Sequence, residues 1–358
     1  MYKKRNAKNM FAHINEEKKF DRIKKAKQKL GKALIILGHH YQRDEIIQFA
    51  DFRGDSLELS KRASQEKEAR YIVFCGVHFM AETADILSQP RQTIFLPNLN
   101  ARCPMAAMAE INQVSEAWDN LSEIAPEIIP ITYINSTAEI KAFCGKHRGL
   151  VSTSSNTEKA FRWVLARHKK IFFFPDEHLG INTVTKLSIN QEEIIIWDPE
   201  KYLGGQTKDQ IKKAKIILWK GFCHVHTHFA PEQIKTIRQQ CPGIKIIVHP
   251  ECKRAVVELS DLVGSTSFII KTVKEAPAGS RWAVGTEIHL VYRLAQECPD
   301  KLIIPLSRSL CPNMFKINST NLCQTLESIL AHKPINQIRV DQEIAFWVKK
   351  ALDKMLEL

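Results

Sequence analysis

Nine cysteines are scattered through the 358 residues, yet no two of them are separated by only two positions. The missing C-x-x-C pairs exclude a zinc ribbon or a ferredoxin-type ligand run, and the odd count argues against a secreted disulfide framework. Long apolar runs are missing too. Lys170-Ile-Phe-Phe-Phe-Pro175 is among the longest, whereas a bilayer span needs about 20 residues; no membrane association is expected. Met1 is followed by Tyr-Lys-Lys-Arg rather than by an apolar stretch, so no secretory signal is expected and the expected compartment is the cytoplasm. Aromatic residues make up only 8% of the chain. They do not interleave with basic clusters beyond residue 32, which argues against nucleic acid as a partner.

What is present is ordinary for a soluble globular protein of two or three domains, with 44% hydrophobic and 25% charged residues. The net charge of +13 is unevenly spread. Residues 1–32 hold twelve Lys or Arg against three acids, a net +9, which leaves +4 for the remainder. This stretch reads as a basic N-terminal helical extension, either a solvated leader or a contact for nucleic acid or an anionic surface.

The chain repeats itself. ALIILGHHYQ (33–42), IIPITYINST (128–137) and IKIIVHPECK (244–253) are each a β-branched run ending in polar residues. Each is followed by a helix-like stretch and a small hydroxyl-bearing turn: ADFRGDS (50–56), LVSTSS (150–155) and SDLVGST (260–266). His39 precedes Gly54 by 15 positions, and His249 precedes Gly264 by the same 15. Two further strand–turn units complete each copy, and the last turn always contains one cysteine: Cys103, Cys223 or Cys311. His39 to Cys103 is 64 positions and His249 to Cys311 is 62. Asn135 to Cys223 is 88, stretched by an insertion around Trp197–Gly205.

Strands alternating with helices predict an α/β protein with parallel sheets. The expected architecture is three similar three-layer αβα domains around a pseudo-threefold axis, with the active site and any cluster at the centre. The expected boundaries are 1–32 for the basic extension, 33–125 and 126–232 for the first two repeats, and 233–358 for the third repeat plus C-terminal helices. Ligands of open α/β sheets bind beyond the carboxyl ends of the strands, and every polar motif here follows a strand.

Three thiolates, one from each repeat, suit an iron–sulfur cluster, zinc or copper(I). With three cysteines on a four-iron cluster, one iron keeps an open position and can act as a Lewis acid. Hydroxyls at helix starts (Ser56, Ser154, Thr266) stand beside strand-end His39, Tyr41, Tyr133, Asn135, His249 and Glu251. Helix N-termini favour carboxylates and phosphates, so the expected substrate is small and anionic. Glu251, Tyr41 or a histidine could carry protons. The stretch GFCHVHTHF (221–229) sets Cys223 among His224, His226 and His228, a density suggestive of metal. The other cysteines, including Cys252, read as packing thiols, and Asp176-Glu177-His178 as a turn with a helix cap.

G-H-H-Y-Q, G-D-S-L-E-L, F-C-G-V-H-F-M-A-E-T-A, Y-I-N-S-T-A-E, T-S-S-N, G-F-C-H-V-H, V-H-P-E-C, V-G-S-T-S, G-T-E-I and C-P-N-M occur in that order from about residue 33 to about residue 330. Together they resemble the quinolinate synthase family. The resemblance implies condensation of iminoaspartate with dihydroxyacetone phosphate to quinolinate, phosphate and water, for the biosynthesis of NAD. It implies one [4Fe–4S] cluster per chain on Cys103, Cys223 and Cys311. Iminoaspartate contacts would fall on His39, Ser56, Tyr133, Asn135, Ser154, His249, Glu251 and Thr266, with His226 facing the same pocket. Proton handling would fall on Glu251, Tyr41 and His39, and a transient contact with an iminoaspartate-producing oxidase or dehydrogenase is expected. On this view His224 and His228 are structural or solvent-facing. Two departures stand out: His40 replaces a commoner Asn or Tyr, and Cys311 lacks the C-x-x-C-x-x-C run of some relatives. The alternative reading is another three-cysteine [4Fe–4S] enzyme of the dehydratase type acting on a small anion.

Overall fold

Three parallel β-sheets organise the chain in the computed structural model, which describes the backbone of residues 2–358 and the side chains of residues 16–358. The first contains β1 (Leu34–His39), β2 (Phe52–Gly54), β3 (Tyr71–Cys75) and β4 (Thr93–Phe95), in the order β2-β1-β3-β4. The second contains β5 (Ile128–Tyr133), β6 (Leu150–Ser152), β7 (Lys170–Phe174), β8 (Ile194–Trp197) and β9 (Ile216–Trp219), ordered β6-β5-β7-β9-β8. The third contains β10 (Lys245–Val248), β11 (Leu262–Val263), β12 (Arg281–Gly285) and β13 (Leu302–Pro305), ordered β11-β10-β12-β13. Stripped of β8, and of a short antiparallel edge strand in the first sheet (Gln337–Ile338), the three sheets share one strand order, and the protein is α/β as the alternating pattern implies. β8 is the insertion of the middle copy, paired in parallel with β9 at the sheet edge. The central strands are apolar on both faces and fully buried, as in KIFFF and KIIV beyond their first lysine, because helices cover both sides of a parallel sheet.

Each repeat has one strand more than the motif pattern suggests. β2, β6 and β11 are only two or three residues long and occupy the turns read as small and hydroxyl-bearing. A side-chain device anchors two of them. The Ile36 N–H donates to Asp51 Oδ2 at 2.8 Å, and the Ile246 N–H donates to Asp261 Oδ2 at 2.6 Å. The middle copy puts Pro130 where the isoleucines stand, and a proline has no N–H to offer. Gly149 takes the place of the aspartate there, and a Cβ on it would lie 2.0 Å from the Pro130 carbonyl. The exchange of an Asp–Ile pair for a Gly–Pro pair preserves the same strand approach.

The chain forms two compact units: residues 1–102 with 312–339, and residues 103–311 with 340–358. In the first, β14 (Gln337–Ile338) pairs antiparallel with β4, and the helix Ser319–Leu330 packs on the N-terminal helix Tyr2–Leu30. Ile23 and Ala26 of that N-terminal helix are buried, and Arg22 pairs with Glu327 through two hydrogen bonds of 2.8 and 2.6 Å. In the second unit, the last helix, Gln342–Leu356, packs on the helix Ala138–Lys146. Among the described residues, no helix is long and apolar enough to cross a membrane.

Candidate functional site

The first strand of each repeat ends at an equivalent place: β1 at His39, β5 at Tyr133, and β10 just before His249. Two of these ends fold alike. The Tyr41 N–H donates to His39 Nδ1 at 3.1 Å, and the Glu251 N–H donates to His249 Nδ1 at 3.4 Å. Each histidine is thereby turned by the residue two places on. In the first unit the Tyr41 ring meets His39 edge-on at 4.8 Å. Ser56 opens the helix Ser56–Gln65 behind Asp55, whose carboxylate and Glu58 form a reciprocal cap.

The second unit holds a buried polar centre. The Glu251 carboxylate is 2% exposed, and its Oε2 lies 2.9 Å from His226 Nδ1 and 3.0 Å from His249 Nδ1. The two imidazoles stack at 4.3 Å with 19° between their planes. His226 Nε2 faces the Thr286 hydroxyl at 3.2 Å. Burial alone would push the Glu251 carboxyl up, but the neighbouring His226 and His249 outweigh it and hold the group below the usual carboxylate range. His226 is itself lowered to about 4, first by burial and then by the adjoining His249. A neutral His226 cannot lend Glu251 a full positive charge. An ionised Glu251 beside a neutral His226 suits the His226 contacts, with Nδ1 toward the carboxylate and Nε2 toward the Thr286 hydroxyl.

Asp176 supplies the opposite case. It caps the helix Glu177–Lys186 through Oδ1, which accepts the Leu179 N–H at 2.8 Å. Its Oδ2 is buried without a hydrogen bond. Burial first, and the charge of Glu251 second, push this carboxyl well above its ordinary range. Two carboxyls with affinities forced apart are the arrangement from which a proton donor and a proton acceptor are made. The sequence pattern identifies Asp176 as a cap, and only the fold shows its second oxygen stranded near Glu251.

Cys223 and Cys103 occupy the same backbone position. Each heads a four-residue helix, His224–Thr227 and Pro104–Ala107, with φ/ψ of −88/114° and −85/120°. Cys311 differs, standing in the loop after β13 with its N–H 3.4 Å from Glu287 Oε1. The thiols act on one another. Dense surroundings push Cys103 up to about 12, and the nearby Cys311 and Glu251 add to the rise. Cys223 is raised well above its ordinary value by burial and then by Glu251, Cys103, Asp176 and Cys311. Such thiols stay protonated unless a cation takes up the sulfur charge. Cys223 Sγ, one ring nitrogen of His226 and one carboxylate oxygen of Glu251 all lie within 4.8 Å of one another, a spacing able to hold a metal ion. In the rest of GFCHVHTHF, His228 is exposed and meets the Ser307 hydroxyl at 3.3 Å, while His224 is half-buried.

The remaining sequence-derived positions are held in separate ways. Tyr133 is buried, and the Ser136 hydroxyl donates to its carbonyl at 2.8 Å, closing the turn that carries Asn135. Thr266 is the first residue of the helix Thr266–Glu275, after the Ser265 cap. Ser154 lies in the turn ahead of the helix Thr157–Leu165 rather than on its first turn. Together with Leu179, Asn182 and Pro250 it lines a small cavity of about 70 Å³. Sequence reasoning missed Asn182, Lys141, Thr286 and Glu287. Thr286 and Glu287 sit in the G-T-E-I motif, which could have pointed to them.

A family model described as quinolinate synthetase A protein matches residues 21–194 and again residues 184–357. Curated relatives match at near half identity. A quinolinate synthase of Acidobacterium capsulatum is 49% identical over 345 residues, covering 94% of this chain and 92% of its own length. One of Geobacillus kaustophilus is 50% identical over 341 residues, with the same two coverages of 94% and 92%. One of Rhodopirellula baltica is 48% identical over 350 residues, covering 94% of this chain and 89% of its own.

Proposed function

The chain belongs to the quinolinate synthetase A protein family, and from that premise we propose that it condenses iminoaspartate with dihydroxyacetone phosphate to form quinolinate, phosphate and water in NAD biosynthesis. The observation that carries the reading is the buried Glu251 between His226 and His249, next to Cys223. A carboxylate buried to that degree is costly unless it is paired, and such a paired, buried and perturbed group marks a functional site.

The donor set fits a soft metal centre. Cys311 raises both Cys103 and Cys223, Cys103 also raises Cys223, and none of the nine cysteines is in a disulfide. Buried acceptors are also left open: Glu251 Oε1 and Asp176 Oδ2 have no hydrogen bond within the protein. We assign a [4Fe–4S] cluster to the three cysteines. When bound on three thiolates, it supplies one iron with an open position as a Lewis acid toward substrate oxygen. The other tasks fall to the protein. Glu251 accepts a proton and passes it through His249 or His226, and the neutral Asp176 is suited to donate one. Tyr133, Asn135, Ser154 and Thr266 orient the carboxylates of iminoaspartate, and in the first repeat His39, Tyr41 and Ser56 hold the places equivalent to His249, Glu251 and Thr266. The repeats 33–125, 126–232 and 233–358 are taken as the domains. Nine cysteines without a disulfide suit a reducing, cytoplasmic setting. A transient hand-over from an iminoaspartate-producing oxidase or dehydrogenase suits so unstable a substrate.

The test is anaerobic preparation followed by iron and sulfide analysis and a quinolinate assay. We expect about four irons and four sulfides per chain. Cys103→Ser, Cys223→Ser and Cys311→Ser should each lose most of the iron and the activity, whereas Cys241→Ser should keep both. A Cys223→Ser protein that retains its full iron, or a fully loaded wild type that makes no quinolinate, would refute the assignment.

A further inference from the structure

Glu251 reaches its two histidines from a short turn after β10, His249-Pro250-Glu251-Cys252. The turn's own bonds are few: the Cys252 N–H donates to the His249 carbonyl at 3.0 Å, and the longer Glu251 bond to His249 is 3.4 Å. Pro250 has no N–H to contribute. The firm hold comes from another repeat. Asn182, on the helix Glu177–Lys186, donates from Nδ2 to the Pro250 carbonyl at 2.8 Å and to the Cys252 carbonyl at 2.7 Å. A single amide group thus grips the carbonyls on both sides of Glu251.

Asn182 is only 3% exposed, and its Oδ1 is buried without a hydrogen bond. An unsatisfied buried acceptor costs about 1–3 kcal/mol, so a residue serving only to fill space there would be better as leucine. The two short bonds compensate, and they fix the turn's backbone rather than any side chain of the reacting set. Asn182 also stands on the helix whose first residue follows the Asp176 cap, so one rigid element sets both carboxyls.

We propose that Asn182 is a positioning residue, which sets the Glu251 carboxylate between His226 and His249 by clamping the backbone on either side of it. The proposal rests on the reading of Glu251 as the proton carrier, and its test separates the two. Four proteins are compared: wild type, Asn182→Leu, Glu251→Gln and the double variant, each with measured iron content, thermal midpoint, kcat and KM for quinolinate formation. Asn182→Leu should keep its iron and lose about 10- to 100-fold in kcat, the effect of a displacement near 1 Å, with KM changed by less than about threefold if the lost interaction belongs to the transition state. In the Glu251→Gln background the same change should lower kcat by less than about twofold, because residues acting as a unit are strongly non-additive. Equal losses in both backgrounds would show that Asn182 acts independently of Glu251 and would overturn the proposal, as would wild-type kcat in Asn182→Leu. Wild-type turnover in Glu251→Gln alone would instead remove the proton-carrier reading and the clamp's purpose with it. Asn182→Ser, which keeps a polar side chain, carries the same cycle if the leucine variant does not fold.

Discussion

Lys141 offers a sharp test of what the buried polar groups are for. It lies on the helix Ala138–Lys146, fully buried, and its Nζ donates to the Ser136 carbonyl at 2.6 Å. Ser136 in turn ties back the Tyr133 carbonyl, so the lysine braces the turn that carries Tyr133 and Asn135. Taking an ammonium out of water costs several kcal/mol, whereas a hydrogen bond from a charged donor returns about 1.5–3 kcal/mol. Replacing a buried charge by an apolar side chain of similar volume is often close to neutral for stability. Lys141→Met, which keeps the volume, should change stability by no more than about 2 kcal/mol. Lys141→Ala should fall about 2–5 kcal/mol below the methionine variant, because it leaves a cavity as well. Both should lose roughly 10- to 100-fold in kcat if the turn orients substrate. The assay pairs urea unfolding of the anaerobic protein with quinolinate kinetics. A methionine variant destabilised by more than about 4 kcal/mol would exceed the charged hydrogen bond's worth and mark the lysine as a structural tie. A methionine variant with wild-type kcat would refute the bracing role.

The basic N-terminal helix should be held by burial rather than by its charge. Ile23→Ala should cost about 2–5 kcal/mol in unfolding free energy, while Arg22→Ala should cost far less, since Arg22 and Glu327 are 55% and 39% exposed despite their short contacts and water screens the pair. Equal losses would show that the ion pair matters as much as the core. Gly145→Ala should loosen the last helix, because a Cβ there would sit 2.0 Å from the Trp347 carbonyl. We expect a loss of about 1–3 kcal/mol from overpacking and faster proteolytic trimming of residues 342–356; unchanged trimming would show that the helix shifts without penalty.

Much of this was open to sequence reading because the repeat makes each copy a check on the others. Cys103 and Cys223 share their relative place in the sequence and also share backbone angles. The 15-residue offset from His39 to Gly54 and from His249 to Gly264 reflects a strand and its short neighbour, paired by the same Asp-to-backbone bond. The short strands themselves stayed hidden. Two or three residues carry no alternation, and β2, β6 and β11 exist only because a long neighbour offers a ladder to join. Residues 312–339 were equally illegible, since β14 pairs with β4 more than 240 positions earlier and local pattern says nothing of such distance. Asn182 and Asp176 mark a different limit. Both have ordinary sequence signatures, a polar residue inside a helix and a cap before one. What sets them apart is an oxygen left without a partner in a buried place. Propensity and periodicity report what a residue does for its own element. An unsatisfied acceptor reports what the fold is withholding from its own stability, and here two such atoms belong to residues that act on Glu251 or its turn, Asp176 through electrostatic coupling and Asn182 through the neighbouring carbonyls.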